Sequence, residues 1–261
     1  MALALNDLND LKYAKTLLEN PSLAARISNL LGTPIEKGFE HLPATWKDVV
    51  QRATEKSLEK ALTFAIRTMN DGTRPASSDK THKILALATG AGGGTFGLPA
   101  LMIELPVTTT IMLRSIADIA RSEGEQIRSL ETKLACLEVF ALGGRSSSDD
   151  GTETGYFVVR TALARTISEA TNYIAEFGLA RDGAPALVKL IATLASRFGI
   201  IVSEKAAAQA VPLIGAAGGA MINTIFINHF QNMARGHFII RRLERFYDED
   251  LIRQEYDKLE L

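Results

Sequence analysis

Residues 84–104 read ILALATGAGGGTFGLPALMIE, and the fold depends on what these glycines are for. One reading is an apolar strand that runs into a phosphate-binding loop, since Gly92, Gly94 and Gly97 satisfy the dinucleotide pattern G-x-G-x-x-G. That pattern counts only after a strand, before a helix, and with an acid at the end of a second strand about 20 residues on. Here the chain passes Pro99 and Pro106 into Arg114-Ser-Ile-Ala-Asp118, which has helical character. Asp118 therefore stands at the right distance in the wrong kind of element. No Tyr-x-x-x-Lys occurs, the nearest match being Tyr156-x-x-x-Arg160, and no Gly-Lys-[Ser/Thr] follows the glycines. The stretch is not a nucleotide loop, and no cofactor is expected.

Working outward, helical periodicity takes over. Tyr156, Val159, Leu163, Ile167, Ala170, Ile174 and Phe177 recur at steps of three and four, which marks a helix with one buried face. Ile127, Leu130, Leu134, Leu137 and Ala141 repeat the pattern, as do Leu187, Leu190, Ile191, Leu194, Phe198 and Ile201. No alternating run lies between turn signals. The expected fold is all-α: a multi-helix bundle with two glycine-rich apolar helical hairpins. Turn-forming residues 70–79 should join a helix ending near Met69 to one starting near Lys80. Residues 143–155, almost without apolar content, read as a flexible loop.

The second hairpin comes from an internal echo. At an offset of 125 residues, Gly90-Ala-Gly-Gly-Gly94 falls on Gly215-Ala-Ala-Gly-Gly219. Residues 84–103 and 206–234 contain no Asp, Glu, Lys or Arg. Glycine costs about 1 kcal/mol in a helix relative to alanine. Five of them in eight residues (Gly90, Gly92, Gly93, Gly94 and Gly97) therefore argue for a broken helix or closely pressed backbones. Gly215, Gly218 and Gly219 repeat the argument. Small residues four apart let helices approach closely, in membranes and in soluble cores alike. Uncharged length favours lipid, whereas Gln209, Asn223 and Asn228 favour a protein core, and both readings stay open.

Composition narrows the function class. A chain of 261 residues with net charge −1 and 23% charged residues has no basic field for nucleic acid. The single cysteine, Cys136, sits among apolar neighbours and reads as a buried, inert thiol. The start, MALALND, lacks a cationic region and a long apolar run, which gives a cytoplasmic expectation. His41, His82, His229 and His237 show no metal-ligand spacing, so no metal is expected.

A candidate polar cluster remains: Glu104, Arg114, Asp118, Glu138 and His229. Glu104 lies inside an apolar run, and a buried carboxylate must be paired, hydrogen-bonded or protonated. Arg114 and Asp118, one turn apart, are placed to pair with each other. Glu138 sits beside the Leu134/Leu137 stripe. Such a cluster either binds a headgroup, proton or partner, or fixes helix register. The segment from Arg235 to Arg245 carries Arg235, Arg241, Arg242 and Arg245 against one glutamate, with Phe238, Ile239, Leu243 and Phe246 as its apolar side. This basic surface either lies on an anionic membrane or packs its apolar side on the domain, with the arginines in solvent or pairing with Asp248, Glu249 and Asp250.

Several ordered motifs resemble the EcsC protein family. They are Thr89-Gly-Ala-Gly-Gly-Gly94 followed by Ile103-Glu-Leu-Pro-Val107 and Leu113–Ala120, then Cys136–Gly144 and Val211–Asn223. The likeness runs from about Leu42 to Tyr247, and it divides the chain into an N-terminal helical extension, 1–42, and a helical domain, 43–261. The resemblance implies association with membrane or transport processes and supplies no catalytic residues. The expected function is non-enzymatic engagement of lipid, or of a membrane or transport partner, from the cytoplasmic side. The alternatives are a soluble bundle binding an apolar ligand such as a fatty acid, and a hydrolase using Glu104 or His229. Oligomeric state is left open.

Overall fold

Each apolar stripe buries a helix face, and these faces meet in one core. The computed structural model describes residues 3–19, 23–32, 34–69, 101–143, 156–179, 184–210 and 215–260. Among them are ten α-helices and no strand. They are α1 (Leu5–Leu18), α2 (Leu23–Leu31), α3 (Glu36–Glu40), α4 (Trp46–Thr68), α5 (Leu101–Ser122), α6 (Leu130–Glu138), α7 (Tyr156–Phe177), α8 (Pro185–Ala210), α9 (Gly215–Phe246) and α10 (Glu249–Lys258). A 3-10 turn, Val139–Ala141, follows α6. The all-α expectation holds.

The stripes behave as the spacing requires, with informative exceptions. Tyr156, Leu163, Ala170 and Ile174 are buried along α7, and Leu190, Leu194, Phe198 and Ile201 along α8. Phe177, at the last residue of α7, is instead half exposed, because the core ends one turn earlier. The Ile127–Ala141 stripe is divided. Gly124, at φ +84°, stops α5, and Ser129 caps α6 by accepting the Thr132 N–H at 3.1 Å. Phe140 of the 3-10 turn then fills the centre, with ring centroids 5.1 Å from Phe198 and 5.3 Å from Phe230.

Topology follows from who meets whom. Glu104 and Asn223 meet at one Lys205 ammonium, Ser115 meets Gln231 at 2.7 Å, and Glu123 meets Arg242 at 2.7 Å. The numbers rise together, so α5 and α9 run parallel. By the same logic α1 runs antiparallel to α9, since Asp10 reaches Arg242 at 2.5 Å while Asp7 accepts from the Tyr247 hydroxyl at 2.6 Å. Lys15 of α1 donates to the Tyr256 and Leu259 carbonyls at 2.9 and 2.8 Å, covering the exposed acceptors at the end of α10.

Glycines do bring backbones together, at positions the sequence reading did not single out. At Gly236, a Cβ would lie 2.5 Å from Leu18 Cγ and 3.0 Å from the Ala14 carbonyl, so α1 crosses α9 there. At Gly38, a Cβ would overlap the Ala207 carbonyl, which fixes α3 against α8. Gly90, Gly92, Gly93, Gly94 and Gly97 lie outside the described residues, as do 70–79 and 144–155. Gly215, Gly218 and Gly219 fall in the opening turns of α9, a helix of 32 residues, rather than at a bend between two short helices.

Candidate functional site

The uncharged stretches border a buried ion pair. Lys205, in the last turns of α8, is fully buried and donates to Glu104 Oε1 at 2.7 Å and to Asn223 Oδ1 at 2.9 Å. Its ammonium also lies 4.7 Å from the Phe226 ring centroid. Glu104 is thus paired, as an apolar neighbourhood demands, and its cation is Lys205 rather than Arg114. The Thr108 and Thr109 hydroxyls on the next turn of α5 are buried and have no hydrogen-bond partner among the described residues. The pair joins α5, α8 and α9 at the end where α5 and α9 begin.

A second polar cluster lies deeper along α9. Tyr156 Oη and His237 Nδ1 are 2.8 Å apart, and His237 Nε2 faces Glu138 Oε2 at 4.0 Å. Arg160 donates to Glu244 at 2.6 Å and lies 5.3 Å from the Tyr156 ring. Burial dominates here. It pushes the Glu138 carboxyl up to about 7, against the lowering pull of Arg160 and Arg241 and with Glu244 adding to the rise. It holds His237 well below the usual imidazole range, helped by the same two arginines. The arrangement ties α6 and α7 to α9 and sets Tyr156 and His237 beside the Arg160–Glu244 ion pair, with His237 Nε2 making no hydrogen bond among the described residues.

The cluster has a pH signature. Glu138 ionises near 4.5 ordinarily and near 7 in the fold, so the folded protein holds the proton more tightly. Its contribution to stability is complete below pH 4.5 and is lost as pH rises through 7. Glu138→Gln mimics the protonated form at every pH. Urea titrations should show the variant gaining on the wild type between pH 4.5 and 7, then running parallel above. A constant difference across that range would mean Glu138 titrates normally.

His229 occupies a third place. It is buried, its Nε2 has no partner among the described residues, and burial, aided by Arg26, lowers its pKa to about 4. Gly143, at φ +77°, packs directly on it: a Cβ there would stand 2.7 Å from His229 Cε1. Burial likewise pushes the Cys136 thiol up and keeps it inert.

The five candidate residues do not converge. Glu104 and Asp118 are separated by about 21 Å along α5, from the helical rise. Asp118 pairs with Arg121, and the Arg114 guanidinium lies 5.8 Å from the Phe64 ring, which corrects the expected Arg114–Asp118 pair. The arginines of α9 turn to other acids than the expected Asp248, Glu249 and Asp250. Arg241 binds Glu125 and Glu131 at 2.9 Å each, Arg242 binds Glu123 and Asp10, and Arg245 binds Glu125 at 2.5 Å. Arg235 is half-buried. Phe246, counted as apolar side of that helix, is 77% exposed.

Sequence reasoning missed Lys205, which stands one residue outside the uncharged stretch 206–234 and so looked like its border. It also missed the union of Tyr156, Arg160 and His237, although Tyr156-x-x-x-Arg160 puts both side chains on one helix face. Among the described residues no group of three or more His, Cys, Asp or Glu is placed to hold a metal ion. One helix among them, α8, is long and apolar enough to cross a membrane. Residues 8–243 match the EcsC protein family, a span that takes in most of α1 and all of α2 and α3. No curated protein and no solved structure matches the chain.

Proposed function

The chain belongs to the EcsC protein family, and from that premise we propose that it is a peripheral membrane-binding protein that meets lipid with the end of the bundle where α5 and α9 begin. The observation that carries this reading is the surface of those two helices. Ile103 is 76% exposed, Val107 46% and Met221 51%. Up to Arg114 on α5 and Arg235 on α9, the only charged side chain is Glu104, which is buried against Lys205. A soluble surface normally spaces such side chains among charges. The basic side of α9 supports lipid contact less well, because Arg241, Arg242 and Arg245 are already matched by acids of α1 and the α5–α6 connection.

Flotation on sucrose gradients with phosphatidylglycerol-containing vesicles tests the proposal. The wild-type protein should rise with the vesicles. An Ile103→Asp/Met221→Asp double variant should stay at the bottom with an unchanged melting temperature, since both side chains are exposed. Wild-type protein that never floats would overturn the reading.

A further inference from the structure

A groove of about 930 Å³ runs between α4 and the first turns of α8, and nothing above accounts for it. We propose that it binds one free long-chain fatty acid. Its floor is apolar, built from Leu62 and Phe64 of α4 and Leu187, Val188 and Ile191 of α8. Val188 is 55% exposed there, so α8 brings more apolar surface than the core uses. The volume falls in the range of small-molecule sites. From Glu55 to Arg67 the α4 wall is about 18 Å long by helical rise, a distance that one extended acyl chain covers.

Charge fixes the direction of the ligand. Glu55 and Glu59 line the end towards the start of α4, and Lys60 stands between them and Arg67 near the end of that helix. Arg114, 5.8 Å from the ring of the lining residue Phe64, adds a second cation near the groove. Arg67 has no carboxylate partner among the described residues. An anionic headgroup is therefore repelled at one end and matched at the other, where a guanidinium presents two parallel N–H donors to a carboxylate. The chain then lies over Val188 and Ile191 with its methyl end towards Glu55.

The groove reaches Thr110 of α5, about one turn beyond Val107, and the experiment keeps the two sites apart. Delipidated protein is titrated calorimetrically with palmitate below its aggregation concentration, with no vesicles present. One palmitate per chain should bind saturably. Val188→Glu and Arg67→Glu should each weaken binding about tenfold or more, with melting temperature unchanged because both positions are exposed. Hexadecanol, which lacks the charge, should also bind at least about tenfold more weakly. The Ile103→Asp/Met221→Asp variant should bind palmitate like the wild type, whatever it does on a gradient. Absence of saturable binding, hexadecanol binding as tightly as palmitate, or insensitivity to both groove substitutions would overturn the proposal.

Discussion

Lys205→Met should lower the unfolding free energy by about 3–5 kcal/mol, the usual cost of stranding one member of a buried ion pair. Methionine retains the length and apolar stem of lysine, so the loss comes from the charge rather than from a cavity. Glu104 is left in the α5–α9 seam without its 2.7 Å donor, and Asn223 loses a donor at 2.9 Å. In a protein of this size each kcal/mol lowers the melting temperature by roughly 2–4 °C. The double variant Lys205→Met/Glu104→Gln removes both charges and should recover most of the loss, since it leaves no uncompensated charge in the seam. Urea unfolding of the four proteins in the cycle measures the coupling. A single variant as stable as the wild type would show that the pair is solvated and its geometry unimportant.

Gly143→Ala should cost about 2–4 kcal/mol through two separable causes. The first is the backbone: φ of +77° is one that an L side chain adopts only with strain. The second is space, because the new methyl would meet His229 at 2.7 Å and Met233 Sδ at 2.9 Å, and both side chains lie in the core. Adding His229→Ala relieves the overlap with the imidazole and leaves the strain and the Met233 contact. The double variant should therefore be more stable than the sum of the two single effects predicts, yet still below His229→Ala alone. Strict additivity would mean that position 143 is open to solvent.

How much of this was legible beforehand follows from the range of each interaction. Periodicity at three and four residues is local, so the stripes of α7 and α8 announced helices and most of their buried faces. The reading failed at the margins, at Phe177 and Phe246, because a stripe does not record where the core it faces comes to an end. Glu104 announced its need for a partner through its apolar neighbours. The partner lies 101 residues away on a helix whose own pattern gives no sign of it. Arg241, Arg242 and Arg245 posed the same problem in reverse. Asp248, Glu249 and Asp250 are near in sequence, but the acids that bind them sit about 110 to 232 residues earlier. Glycine misled for a related reason: clusters attract notice, whereas Gly38 and Gly236 stand alone and their purpose is set by the helix that crosses them.

The antiparallel seat of α1 on α9 and α10 carries a consequence for biosynthesis. α1 leaves the ribosome before its anchors, which are Arg242, Tyr247 and the carbonyls of Tyr256 and Leu259, about 240 residues later. At 5–20 residues per second, α1 waits on the order of tens of seconds for them. An isolated helix of 14 residues is marginal in water over that time. During translation the Gly236 face of α9 does not yet exist to receive it. A helix made ahead of α9 and α10 is thus secured only after both have been made. Until then Leu11, Ala14 and Leu17, destined for the core, remain open to chaperones.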